Sequence, residues 1–190
     1  INKLLADNLN WDIDLGNQVT TGKNAKLRFN AKEVNLPKML FEIEELGTSF
    51  DQLTYRVKDA KSVSKGEINF KDLAFENFRL STKNLSYKED SFEGEINELK
   101  FKEKSGLELV NANALASLKD NLVSLTNLNI STPASSLKGN AELAINDTDF
   151  AKSKFEANII GLKVVPKEAL FFASSLRENT TFQKIINDTF

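Results

Sequence analysis

The chain has 190 residues, with 41% hydrophobic and 27% charged side chains, 25 basic against 27 acidic groups, and neither histidine nor cysteine. Without Cys there is no thiol nucleophile, disulfide framework or thiolate metal site, and without His no imidazole base and no ordinary ligand for a catalytic metal. A formal net charge of −2, with both signs interspersed from end to end, leaves no basic stripe to neutralise nucleic-acid phosphates, while the apolar fraction is ample for one domain or one continuous piece of a longer one.

In chain order, period two dominates. Leu9, Trp11, Ile13 and Leu15 alternate with Asn10, Asp12 and Asp14, and Leu27, Phe29 and Ala31 alternate with Arg28 and Asn30. Farther on, Ala141, Leu143 and Ile145 alternate with Glu142 and Ala144, and Phe155, Ala157 and Ile159 follow. Such spacing predicts strands with one apolar and one wet face. Antiparallel or solenoid sheets tolerate one-sided wetting, whereas the strands of a doubly wound α/β sheet read as continuous apolar runs. The fold expected is mostly β.

Between residues 66 and 101 the alternation repeatedly changes phase. Ile68 and Phe70 give way to Leu73 and Phe75, then Phe78 and Leu80, then Leu85 and Tyr87, then Ile96, then Leu99 and Phe101. Each slip is an odd step, and one extra residue that keeps apolar side chains on the same face is what a β-bulge or sharp bend supplies. The expectation is of short strands bent repeatedly around one apolar interior. The tetrapeptide Gly-Glu-Ile-Asn at 66–69 returns at 94–97, Asn84-Leu85-Ser86 is echoed by Asn127-Leu128-Asn129, and Gly94-Glu95 by a turn at 139–142. Recurrence at this spacing points to stacked units that share a core.

Two segments carry helical spacing. Residues 38–46 place Met39, Leu40, Ile43 and Leu46 after Pro37 and before Gly47, with a partly alternating strand pattern as the other reading; residues 167–178 follow Pro166 and carry Leu170, Phe171, Ala173, Ser174 and Leu176. The longest nearly uncharged apolar stretches, such as 169–176, fall far short of the ~20 residues of a membrane-spanning helix. The first residue is Ile1, with no basic start or cleavage site, so the chain reads as a segment of a longer protein whose anchor or signal lies elsewhere.

No constellation for chemistry emerges. Asp12 and Asp14 project to one side of a strand whose other side is Trp11, Ile13 and Leu15, which describes a solvated face. Asn146-Asp147-Thr148-Asp149 opens like a calcium loop but lacks the sixth-position glycine and the distal Glu, and reads as a polar turn. Gly16 and Gly22 are separated by five residues, not the four of a phosphate loop, and Asn24 stands where Ser or Thr belongs. Tyr55, Tyr87 and the Lys and Ser residues form no recognisable nucleophile and base pair. The expectation is a protein that is not an enzyme and uses no cofactor or metal. Its salient feature is a Phe- and Leu-rich apolar face, either a dry core or a surface left open to an acyl chain.

Glu76-Asn77-Phe78-Arg79-Leu80, Asn84-Leu85-Ser86-Tyr87, Phe101-Lys102-Glu103-Lys104-Ser105-Gly106-Leu107 and the run at 128–139, Leu-Asn-Ile-Ser-Thr-Pro-Ala-Ser-Ser-Leu-Lys-Gly, occur in this order. They are followed at 161–173 by Gly-Leu-Lys-Val-Val-Pro-Lys-Glu-Ala-Leu-Phe-Phe-Ala. Together they resemble the TamB proteins of Bacteroidota, the translocation and assembly module of the AsmA-like superfamily. The resemblance covers 66–190; residues 1–65 share its style only, as strands with a possible short helix.

What the resemblance implies is one continuous section, 1–190, of an elongated, bent antiparallel sheet that forms an open, taco-like β-groove with an apolar interior and one or two short helices. Members are anchored in the inner membrane, cross the periplasm, engage an Omp85-type outer-membrane protein, and are implicated in phospholipid movement and outer-membrane biogenesis. The expected function is therefore lipid transport through an apolar groove, with phospholipid acyl chains as partner; the alternative is a structural or chaperone-like module that holds unfolded outer-membrane strands. Residues expected to line the groove are Ile68, Phe70, Leu73, Phe75, Phe78, Leu80, Leu85, Tyr87, Ile96, Leu99, Phe101, Leu107, Leu109, Leu125, Leu128, Ile130, Leu143, Ile145, Phe155 and Ile159. Leu170, Phe171 and Leu176 are expected to cover or gate it.

Overall fold

The computed structural model of the chain describes residues 3–63, 66–88, 90–146, 149, 152–171 and 180. They form nine antiparallel strands in one sheet whose spatial order is the chain order: β1 (Lys3–Asp14), β2 (Gln18–Asn35), β3 (Leu40–Val57), β4 (Asp72–Lys88), β5 (Ser91–Glu103), β6 (Glu108–Lys119), β7 (Leu122–Ser131), β8 (Ser136–Ala144) and β9 (Lys154–Lys163). A four-residue helix, α1 (Pro166–Ala169), follows. The sheet is open. Each strand meets only its neighbours in sequence, so β1 and β9 do not close a barrel and no strand of the described chain packs across either face. At ~3.3 Å per residue, the 18 residues of β2 and of β3 extend about 60 Å and the nine of β8 about 30 Å.

The expected phase slips are bulges. Register shifts on β1, β2, β4 and β7 fall at Asn8, Asn24, Asn77, Asn84 and Asn127, and these five residues have φ between 51° and 57°. Asparagine tolerates this left-handed backbone better than other residues with a Cβ, and a bulge of this kind adds one residue to its strand while bending and twisting it. The residue after each bulge is apolar: Leu9, Ala25, Phe78, Leu85 and Leu128. Two bulges are capped from the neighbouring strand, where Asn10 Oδ1 accepts the N–H of Asn24 at 3.0 Å and Asn140 Oδ1 accepts that of Asn127 at 3.0 Å. A backbone donor freed from the ladder thus keeps a partner.

Three sequence expectations are corrected. Residues 38–46 are not a helix: Met39 closes a turn at φ 48°, its N–H bonded to Leu36 O, and β3 runs from Leu40. The irregularity at Glu44, beside the bulged Asn84, sets Ile43 and Leu46 three residues apart on one face, which imitates helical spacing. The two Gly-Glu-Ile-Asn copies are not equivalent, because 66–69 lies in the β3–β4 connection and 94–97 inside β5; the chain is a meander of hairpins rather than a stack of repeated units. Residues 139–142 are likewise strand, within β8, rather than a turn. Of the second expected helix only α1 lies within the described residues.

One consequence concerns Asn77. Asn77→Gly should leave the urea midpoint unchanged or slightly raised, whereas Asn77→Val should lower stability by ~1–2 kcal/mol, the usual cost of a left-handed backbone for an ordinary residue. Equilibrium urea unfolding of both variants followed by far-UV circular dichroism measures this, and equal midpoints would show that the bulge does not depend on asparagine.

Candidate functional site: a continuous apolar face

Residues directly opposed across antiparallel strands share a face of the sheet. Tracing the register across all nine strands gives one unbroken row, Ala6, Leu27, Thr48, Leu80, Leu99, Ala112, Ile130, Leu137 and Leu162. A second row crosses eight strands as Val34, Phe41, Tyr87, Phe92, Leu118, Val123, Leu143 and Phe155. On β8, whose own chain carries no extra residue, Leu137, Gly139, Ala141 and Leu143 alternate without interruption between the rows, so both belong to the same face. The other face is polar, with a row of Lys3, Asn30, Glu45, Lys83, Glu95, Leu115 and Thr126.

An aromatic chain crosses the apolar face. Trp11 meets Phe50 edge-on with ring centroids 5.4 Å apart, Phe50 meets Phe78 at 5.5 Å, and Phe78 and Phe75 both reach Phe101, at 6.4 and 5.0 Å. Trp11 lies over Gly22, where a Cβ would collide with the indole. On the inner strands the apolar side chains are half-buried by one another, whereas on edge strand β9 Phe155 is 69% exposed. With nine strands ~4.8 Å apart, the face projects over roughly 1,500 Å². The largest apolar patch of a typical monomer is about 300–600 Å².

Three polar groups on this face are satisfied internally. Thr20 Oγ1 donates to Thr54 O at 2.9 Å, and Thr82 Oγ1 to Leu46 O at 3.1 Å. Glu103, opposed to Phe75 and 2% exposed, accepts the N–H groups of Ser105 at 2.7 Å and Ala74 at 3.3 Å. The outer face instead carries exposed ion pairs such as Lys32–Glu42 at 2.9 Å and Lys58–Asp14 at 2.6 Å. Hydrogen bonds from the Lys58 ammonium and the Gly16 N–H hold the Asp14 carboxyl below its ordinary pKa, and the Glu42 carboxylate raises that of Lys32. Asp12 and Asp14 both lie on this wet side, and no group of three or more potential metal ligands occurs among the described residues. The Asp149 N–H bonds to Asn146 Oδ1 at 2.9 Å, and Asp147 and Thr148 of the expected polar turn lie outside the described residues.

Of the residues expected to line a groove, Leu73, Phe75, Phe78, Leu80, Leu85 and Tyr87 on β4, Ile96, Leu99 and Phe101 on β5, Leu109 on β6, Leu125, Leu128 and Ile130 on β7, Leu143 on β8, and Phe155 and Ile159 on β9 share this face. Ile68, Leu107 and Ile145 lie just beyond the strand ends, the first two each 7% exposed. Phe70 does not join them: it sits at a turn closed by the bond from Asp72 N–H to Asn69 O, and is 68% exposed. Leu15 likewise leaves the alternation of β1 for the following turn. Leu170 and Phe171 are half-buried at one end of the sheet, and Leu176 lies outside the described residues. The expected groove lining left out β1–β3, although Trp11 and Phe29 already read there as the apolar side of strands; Phe41, Phe50 and Leu53 of β3 are further members of the face. On β1 and β2 the available signal was asparagine followed by an apolar residue, at Asn8 and Asn24, whereas β3 has no asparagine to mark its changes of phase.

No family model matches the chain, and the searches of curated proteins and of solved structures likewise return no match.

Because Trp11 covers Gly22, Gly22→Ala should push the indole off its site, shift its emission to longer wavelength and cost about 1–3 kcal/mol in urea unfolding. Unchanged emission would place the ring elsewhere.

Proposed function

We propose that the chain is a non-enzymatic, lipid-carrying section of an envelope protein, in which phospholipid acyl chains lie along the apolar face while headgroups stay in solvent. The observation that carries this reading is the nine-strand row from Ala6 to Leu162, with no second layer over it among the described residues. Each methylene removed from water contributes ~0.8 kcal/mol without demanding a particular partner group, so a uniform apolar surface binds chains of many lipids alike. The internal satisfaction of Thr20, Thr82 and Glu103 suits such contacts, since these groups have little reason to select a headgroup. The resemblance to TamB proteins agrees with this reading and extends it to a periplasmic location within an inner-membrane-anchored parent, an Omp85-type partner and a role in outer-membrane biogenesis.

A second reading is favoured by a different observation. Among the described residues the outer edges of β1 and β9 are unpaired, and a sheet edge can add a strand from an unfolded outer-membrane protein.

The single tryptophan makes the two separable. Vesicles of phosphatidylcholine brominated on the acyl chains should quench Trp11 saturably, and Phe101→Asp should weaken that binding at least ~10-fold while far-UV circular dichroism is retained. Absence of quenching, together with no phospholipid in mass spectra of the gently extracted protein, would overturn the lipid reading. Photo-crosslinks from β1 or β9 to an unfolded barrel protein, with none to lipid, would establish the second.

A further inference from the structure

After β9 the chain turns back across one end of the sheet, along the tips of hairpins that are remote in sequence. The Val165 N–H donates to Ser135 Oγ at 2.9 Å, and Thr132 Oγ1, in the same β7–β8 turn, donates to Glu168 Oε2 at 2.6 Å. The chain then reaches the β5–β6 turn, where the Phe171 ring stands against Gly106. Phe171 O accepts the N–H of Ile68, in the β3–β4 connection, at 3.0 Å. Residues 164–171 therefore touch three separate inter-strand connections, though their only helix has four residues.

The largest of the buried side chains described lie at this end, whereas the smaller Ala25, Ala31, Thr82 and Ala114 are buried elsewhere in the sheet. Ile68, Leu107 and Glu103 are among the few fully buried residues described, whereas at the same end of β1 Ile13 remains 44% exposed. The row Trp11, Gly22, Leu53, Phe75, Glu103 leads across the apolar face toward this covered corner. Among the described residues this segment is held by one side-chain pair, two backbone donors and one ring. Local structure with so few contacts opens at low cost.

From this arrangement we infer that residues 164–171 form a strap that competes with bound lipid. The Phe171 ring stands at the Gly106 turn, just past the Phe75 and Glu103 end of the apolar face, and an acyl chain that runs off that end displaces it. The inference rests on the lipid reading above and adds an intramolecular competitor to it. Binding the strap and binding the chain terminus are mutually exclusive, so whatever loosens the strap strengthens lipid binding.

The experiment measures quenching of Trp11 by acyl-brominated phosphatidylcholine vesicles in the full chain, with native-state hydrogen exchange at the Ile68 amide as a second readout. Glu168→Ala, Thr132→Val and Phe171→Ala should each tighten lipid binding about 3- to 10-fold, the effect of losing one hydrogen bond or ring contact from the competing state. Glu168→Gln, which keeps an acceptor for Thr132, should retain wild-type affinity. Lipid should also accelerate exchange at Ile68 in the wild-type chain. Wild-type quenching with affinities unchanged or weakened in the loosened variants, or an Ile68 amide indifferent to lipid, would overturn the strap and leave the lipid reading standing. Absence of quenching in every variant would overturn both, whereas quenching only in the loosened variants would support the strap as the element that withholds the face.

Discussion

The structure depends on one constraint: a strand that must bend cannot keep its side chains on one face unless it gains a residue where it bends. Pleating alternates side chains with strict period two, so an uncompensated insertion would turn every later apolar group into water. At five of these sites the extra residue is an asparagine held at positive φ, and the next position returns to Leu, Phe or Ala. Between β4 and β5, shifts at Asn77 and Asn84 on one strand alternate with an opposite shift near Asn97 on the other, so the two strands end only one residue out of their starting register. The apolar face is continuous because irregularities in the backbone and in the sequence cancel.

Stability in such a sheet has a different source from that of a layered domain. Among the described residues no second sheet or long helix supplies a dry core across the apolar side, and the few buried apolar side chains include small ones such as Ala25, Ala31 and Ala114. Cohesion comes instead from ladder hydrogen bonds and same-face contacts between neighbours, as in the aromatic chain from Trp11 to Phe101. The exposed ion pairs of the opposite face contribute little to folding and keep that side hydrated. The result is a molecule whose two sides have opposite solvent preferences.

Much of this was legible in the amino-acid order, and the failures have physical causes. Clean alternation at Leu9–Ile13 and Ala141–Leu143 announces strands, and the odd steps from Phe75 to Phe78 and from Thr82 to Leu85 announce bulges. The same odd step between Ile43 and Leu46 imitates a helix, because three residues separate same-face positions in both cases. Phe70 looked like the partner of Ile68, but alternation carries no mark of where a strand begins, and both residues precede Asp72, the first of β4. Phe50 and Leu53 escaped notice because the slip beside Asp51 interrupts β3 just where the aromatic chain crosses it. Lateral order was not legible at all: which strands adjoin is fixed by hairpin turns such as Asp120-Asn121, both at positive φ, whose geometry suits a tight two-residue reversal.

Strict meander order has a consequence for how the molecule comes into being. Every strand pairs with the one made just before it, so no ladder waits for a distant segment and most loops to be closed are short, the 58–71 connection between β3 and β4 being the longest. Closure entropy grows with loop length, and folding rates fall as contacting residues become more distant in sequence. A chain of this design can be laid down hairpin by hairpin as it emerges, in either direction, with each completed strand serving as the template for the next. It can be lengthened by adding hairpins at an edge without disturbing the interior, which makes the width of the apolar face a quantity that evolution can adjust in steps of ~4.8 Å.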